Sequence, residues 1–165
     1  MATTSQHPPD EVARVEAVIR NLQPDDLQAM VAIDTALTGR RRAEFLQHKL
    51  DQAFADSGIA VSLAAELDGH VVGYVLARVW FGEFGVTERV AAMDVLGVHP
   101  DLHGRGIGPA LIDQLRTNLL ALGIRRLQTE VGWENLVLIS FFQREGFTLA
   151  PRLCLDLDLE RTRRP

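Results

Sequence analysis

This sequence predicts an α/β (α+β) fold on a single domain, with a central mixed, mostly antiparallel sheet of about seven strands and about four helices. Three observations carry that expectation. Two apolar runs, 59–67 and 70–80, meet at Asp68-Gly69, the strongest short hairpin signal in the chain. The run ending at Val98 passes through a glycine-rich loop into an apolar helical repeat at Ile107, Leu111, Leu115 and Leu119, and a further apolar run returns over 124–131. Strand, crossover helix and strand make a right-handed unit with parallel strands. Finally, Leu153, Leu155, Leu157 and Leu159 alternate with Cys154, Asp156, Asp158 and Glu160, a period of two with one apolar face.

Taken in order, residues 1–10 are polar and proline-bearing and read as a mobile tail ahead of a domain spanning 11–160. Val12, Val15, Val18 and Ile19 fit a helix as well as a strand. Pro24-Asp25-Asp26 opens a helix, since proline is tolerated in the first turn and acids are favoured at its positive end. Leu27, Met30, Val31 and Ile33 carry its buried stripe and Gly39 ends it. Arg40-Arg41-Arg42 reads as a solvated face ahead of a second helix rather than as a substrate-binding cluster. That helix carries Phe45, Leu46, Lys49, Leu50, Ala53 and Phe54 and stops at Ser57-Gly58.

After the hairpin, 81–85 forms a loop and 89–98 returns as the next antiparallel strand. The crossover helix follows, Leu122-Gly123 caps it, and 124–131 is the parallel strand. A short helix over 135–144 precedes 147–149 and 153–159, which close the sheet as a hairpin, and 161–165 is a loose basic tail.

With 47% hydrophobic residues the chain is globular, and its net charge of −5 disfavours an electrostatic grip on nucleic acid. An acidic surface is compatible with a cationic amine as partner. No apolar run approaches the roughly 20 residues that span a bilayer, and the start lacks the basic and apolar regions of a signal peptide. A single cysteine, Cys154, excludes an internal disulfide and suits a reducing compartment, so the expected location is cytoplasmic. It lies among alternating leucines with no base beside it in sequence, as a strand thiol would, and not as a nucleophile would.

The stretch from Leu96 to Ile112 carries the chemistry. Gly104, Gly106 and Gly108 let successive amides turn into one concavity, and the following helix offers unpartnered N–H groups and a positive dipole end. Such a cradle wants an anion, and a pyrophosphate fits it. The alternating glycines do not make G-x-G-x-x-G, Pro109 stands where a third glycine would fall, and no G-x-x-x-x-G-K-[ST] is present. Dinucleotide and ATP sites are therefore disfavoured.

Val98-x-Pro100 followed by His103-Gly-Arg-Gly-Ile-Gly108 resembles the pattern of the GNAT superfamily of acetyl-CoA-dependent N-acetyltransferases, with His103 where that family usually has Arg or Gln. A second block, Glu130-Val131, Asn135, Phe141, Phe142, Gly146 and Phe147, is similar to the family's strand end, helix-opening Asn and aromatic pair before Gly-Phe. The resemblance covers 71–147. It implies a GNAT-like fold whose central parallel strands splay apart, a first strand near 17–21, and early helices that overhang the acceptor site. It also implies acetyl-CoA as cofactor and a small-molecule or peptide amine as acceptor, with direct attack in a ternary complex.

On that resemblance the backbone of Leu96, Gly97 and Val98 meets the pantetheine arm, with the Leu96 amide as the oxyanion or thioester contact. His103, Gly104, Arg105, Gly106, Ile107 and Gly108 take the pyrophosphate, while Pro109 has no N–H to offer. Asn135 and Phe142 are assigned to the cofactor as well, Asn135 also as a helix cap. Asp94, two residues before Leu96 and on its face in an unbroken strand, is the expected general base. Glu130 reads as structural, and Glu83 and Glu88 are loop alternatives. Phe142 occupies the position where the family commonly has a general-acid Tyr, so water or Ser140 would supply that proton. His99, His103 and Asp101 flank the phosphate loop and no metal is expected. A non-catalytic acyl-CoA-binding or sensing module is the alternative, and exposed strand edges permit a homodimer.

Overall fold

The computed structural model describes residues 13–55, 61–81 and 88–159. The expected tails, the stop at Ser57-Gly58, the strand start at 59–60, and loop residues 82–85 with Glu83 lie outside them.

The ambiguous segment at 11–20 is resolved by pairing. Val18–Asn21 is strand β1, antiparallel to β2 (Leu63–Leu67) with Val18 opposite Glu66 and Asn21 opposite Leu63. A 3-10 turn at Pro24–Asp26 then leads into helix α1, Leu27–Thr38. The Asp26 carboxylate accepts from the Gln23 amide at 2.8 Å and from two guanidinium nitrogens of Arg20, each at 2.8 Å, while Arg20 Nε donates to Glu66 at 2.8 Å. One arginine thus clasps β1, β2 and the helix entry. Gly39, at φ 70°, ends α1, and α2 covers Ala43–Ala55. Of the arginine triplet, Arg42 is not simply solvated: its Nε donates at 3.0 Å to Asp34, a carboxylate buried on α1, and its guanidinium lies 5.0 Å over the Phe45 ring.

Asp68 and Gly69 take φ 50° and 78°, the pair of positive values that a tight hairpin turn needs, and they join β2 to β3, His70–Phe81. β4 (Arg89–Val98) runs antiparallel to β3, and β5 (Leu127–Gln128) pairs parallel to β4, in the sheet order β1-β2-β3-β4-β5. The connection from β4 to β5 is helix α3, Ile107–Ala121, as the crossover unit requires.

The sheet carries helices on both faces. On one, Tyr74 and Leu76 of β3 pack with Met30, Ile33, Leu46 and Leu50 of α1 and α2. Ile107, Leu111, Ile112, Leu115 and Leu119 of α3 are buried on the other. Each such aliphatic side chain contributes about 1.5–3 kcal/mol of burial. Gly73 sets how closely α3 can approach, because a Cβ there would stand 3.0 Å from Ile107 Cγ2.

Among the described residues the sheet has five strands rather than about seven. The segments 147–149 and 153–159 form no strand, and Leu153, Leu155, Leu157 and Leu159 are exposed. Alternation marks two faces of an extended segment but supplies no ladder partner, and a strand exists only with one. The parallel strand is also short, two residues within the expected 124–131, and at its near end Gly123 at φ 75° turns Ile124 back to hydrogen-bond Leu119 and keeps it out of the ladder.

The chain from Val131 onward forms a second compact unit. It contains helix α4, Leu136–Arg144.

Candidate active site

The site begins with a register slip. Leu76 pairs with Val95 but Ala77 pairs with Met93, leaving Asp94 as an extra residue on β4. Backbone groups alternate along a strand, so the bulge reverses which residues face which neighbour. Before it, the Ala91 amide donates to Arg126 at 2.9 Å and the Met93 carbonyl accepts Thr129 Oγ1 at 3.0 Å, both toward the β5 side. Beyond it, the His99 amide donates to Val72 on the β3 side at 2.8 Å, so Gly97 and Val95 face β3 while Leu96 and Val98 turn their N–H and C=O groups outward. Ladder pairing between β4 and β5 ends at Ala92 opposite Gln128. The Leu96 and Val98 groups therefore point to an edge that β5 leaves open.

This edge leads into the glycine loop. Pro100–Leu102 is a 3-10 turn, held by Leu102 N–H to His99 O at 2.9 Å and His103 N–H to Pro100 O at 3.1 Å. His103 Nε2 donates to the Val98 carbonyl at 2.9 Å, pinning the loop to the strand. Gly104 and Gly106 adopt φ 75° and 88°, and Gly106 is the N-cap of α3 with no side-chain cap. Its carbonyl accepts the Ala110 amide at 3.1 Å, while the amides of Ile107 and Gly108 lie in the first turn, where a helix offers them no partner. Pro109, also in the first turn, has no amide to leave unpaired.

Two cations flank this nest. Arg105 belongs to the loop itself. Arg14 comes from the segment before β1: the Val15 amide donates to the Arg105 carbonyl at 3.0 Å, and the Arg14 Cγ lies 3.7 Å from where a Gly106 Cβ would be. No sequence pattern distinguished Arg14, since its placement depends on one backbone bond between segments ninety positions apart. Uncapped amides, left-handed glycines and two arginines fit a pyrophosphate, and the open β4 edge fits an extended arm that carries amides.

Asp94 does not share a face with Leu96, because the bulge breaks the parity on which that expectation stood. Its carboxylate lies toward α2, 3.5 Å from Lys49 Nζ, and accepts from Arg78 Nε at 3.0 Å. Arg78 in turn lies 4.5 Å over the Trp80 ring. Glu130 and Glu88 are exposed.

Tyr74 is opposite Gly97 in the β3–β4 register and is 0% exposed. A Cβ on Gly97 would stand 2.8 Å from its Cε1 and 3.2 Å from its hydroxyl oxygen, so the far end of the ring lies across the Gly97 backbone. Burial, followed by the nearby Asp34 carboxylate, pushes the phenol pKa up.

Asn135 and Phe142 belong to the second unit. Asn135 Oδ1 accepts the Leu138 amide at 3.2 Å, an N-cap for α4. Phe142 packs its ring 5.3 Å from Phe141 and 5.0 Å from Phe147. Ser140 is exposed, as is Cys154. On α1 and the turn into α2, an open recess of about 760 Å³ is lined by Leu27, Val31, Thr35 and Arg41 among others. Among the described residues no helix is long and apolar enough to cross a membrane.

The model of the acetyltransferase (GNAT) family matches residues 27–147. The fold is similar to that of an aminoglycoside N-acetyltransferase, AAC(6')-Iy, solved in complex with CoA: TM-score 0.72 and 18% identity over 87% of this chain and 95% of that one. It is also similar to a ribosomal-protein-alanine N-acetyltransferase from Brucella melitensis biovar Abortus 2308, with TM-score 0.68 and 19% identity over 87% and 99%. A transcriptional regulator from Bacillus halodurans C-125 matches at TM-score 0.71 and 17% identity over 87% and 100%.

Proposed function

This chain belongs to the GNAT family of acetyltransferases, and from that premise we propose that it moves the acetyl group of acetyl-CoA onto a primary amine by direct attack in a ternary complex. The observation that carries this reading is the continuity of the open β4 edge with the glycine nest at the start of α3.

Acetyl-CoA supplies an activated acyl carbon and a sulfur leaving group whose thiol pKa is about 8.5. Gly104, Gly106, Ile107 and Gly108 hold the pyrophosphate by main-chain amides; the Arg105 amide is taken by the Leu102 carbonyl at 3.3 Å, so Arg105 joins Arg14 in adding side-chain charge at the rim. His103 sets the loop against Val98 rather than reaching for phosphate. The outward groups of Leu96 and the Val98 amide orient the arm, the Val98 carbonyl being held by His103, and the Leu96 amide is the donor proposed for the thioester oxygen. Asn135 and Phe142 are assigned to the cofactor by the family resemblance alone. Asp94 is proposed to accept the proton of the amine, directly or through one water, and Lys49 and Arg78 fix its carboxylate on the α2 side of the sheet. The acceptor is a small-molecule or peptide amine admitted from the α1–α2 side, and the cytoplasm is the proposed location.

Phe142 supports a second reading, a non-catalytic acyl-CoA-binding or sensing module, because a phenyl ring cannot donate the proton that a tyrosine would. Thiol release from acetyl-CoA, measured with a panel of amines and peptide N termini, separates the two. Amine-dependent release is expected, with Asp94→Asn lowering kcat about 100-fold and leaving CoA affinity unchanged. Tight CoA binding with no release on any acceptor establishes the sensing module instead.

A further inference from the structure

We propose that the Tyr74 hydroxyl is a hydrogen-bond donor at the acyl-transfer centre, meeting the acyl oxygen of the bound donor beside Gly97. The placement rests on the acetyl-transfer reading above and adds to it a side chain that the glycine-loop pattern does not contain.

The geometry comes first. Tyr74 starts on β3, and its ring reaches over β4, since Cε1, Cζ and the hydroxyl are the atoms that a Gly97 Cβ would meet. The ring therefore runs away from β2 and toward the side on which β5 has already ended. Position 97 lies between Leu96 and Val98, whose main-chain groups face that opening. Gly97 is required there because any side chain would occupy the space the phenol fills.

The second observation is chemical. The hydroxyl has no hydrogen-bond partner among the described residues, although the side chain is 0% exposed. Buried polar groups are nearly always partnered, and leaving one unmade costs about 1–3 kcal/mol. The acid whose charge acts on the phenol, Asp34, is occupied by two guanidinium nitrogens of Arg42. An orphaned donor aimed at a ligand edge is explained if the ligand is its partner.

The role is donation without proton transfer. Burial, then Asp34, pushes the phenol up, so it stays protonated and is too weak an acid to protonate a departing thiolate. A neutral donor held in place before the reaction has no reorganisation to undergo as charge grows on the acyl oxygen. No bond to Tyr74 forms or breaks.

Because the chain has a single tyrosine, the test is unambiguous. The protein labelled with 3-fluorotyrosine gives one 19F resonance; acetyl-CoA should move it and CoA, lacking the acyl oxygen, should not. Tyr74→Phe should keep or slightly raise the unfolding midpoint of the free protein, weaken acetyl-CoA binding about fivefold while leaving CoA binding unchanged, and lower kcat about 100-fold. Equal 19F shifts with both ligands, or a Phe variant that loses stability but keeps kcat and the acetyl-CoA preference, overturns the proposal and makes Tyr74 a core residue. If the labelled wild-type chain binds neither ligand, the acetyl-transfer reading falls, and Tyr74's role with it. The fluorine measurement needs no variant, so it stands even if the Phe protein fails to fold.

Discussion

Asp26 shows how much one carboxylate can hold. Three charge-assisted donors reach it, two from Arg20 and one from the Gln23 amide. The hydrogen bonds from Arg20 hold its pKa below the ordinary value of 3.8, while burial opposes them. A depressed carboxylate pKa stabilises the fold above the unfolded value, and that stabilisation is lost as pH falls through the folded one. Asp26→Asn should therefore cost about 2 kcal/mol at neutral pH, and urea unfolding repeated near pH 3 should show the penalty shrinking as the wild-type carboxylate protonates. A penalty that does not change with pH would mean that packing, not charge, holds this corner. The helix-favouring position of Asp26 was legible in Pro-Asp-Asp. Its partners were not, because Arg20 is brought there by β1 pairing with β2 and shares its guanidinium with Glu66, forty-six positions away.

The glycine loop and the β4 bulge differ in what a sequence can reveal. The loop is local: its glycines, the strand before it and the helix after it follow from a few consecutive letters, and the same holds for the Asp68-Gly69 turn. The bulge depends on how strands of twelve and ten residues settle against each other. It moved Asp94 to the face opposite Leu96 and turned the main-chain groups of Leu96 and Val98 to the open edge. For the same reason the alternating leucines at 153–159 indicated an extended segment and misled about a ladder. The loop's role rests on its backbone, and this is testable. A Cβ on Gly106 would meet nothing nearer than Arg14 Cγ at 3.7 Å, so space does not forbid a side chain, but φ 88° does disfavour one. Gly106→Val should weaken CoA binding tenfold or more by turning the amides out of the nest, at about 1–2 kcal/mol of stability. Calorimetry and a thermal melt read the two effects separately. A variant that is less stable but binds CoA with wild-type affinity would remove the nest from the cofactor site.

At the scale of the whole molecule, the order from β2 to α4 was readable because most of those elements carry their own period or turn signal, while β1 needed its partner to be told from a helix; the five strands among the described residues keep sequence order from edge to edge. What no period encodes is which edges stay unpaired, yet the proposed cofactor site is built from an unpaired edge. Ligand linkage reports on it directly, since a ligand that binds only the folded chain stabilises it by RT ln(1 + [L]/Kd). CoA at 100 times its Kd should add about 2.7 kcal/mol, which for a chain of this size is a rise of about 5–10 °C in Tm. ADP carries the pyrophosphate but no pantetheine arm, so at equal concentration it should give only the share contributed by the loop amides and the arginines. Raising salt should erode the ADP shift through screening of the exposed Arg14 and the half-buried Arg105, and should spare the part contributed by Leu96 and Val98, whose main-chain groups carry no net charge. Equal shifts from CoA and ADP would mean that the opening between β4 and β5 takes no part in binding, and the case for acyl transfer at this edge would fail with it.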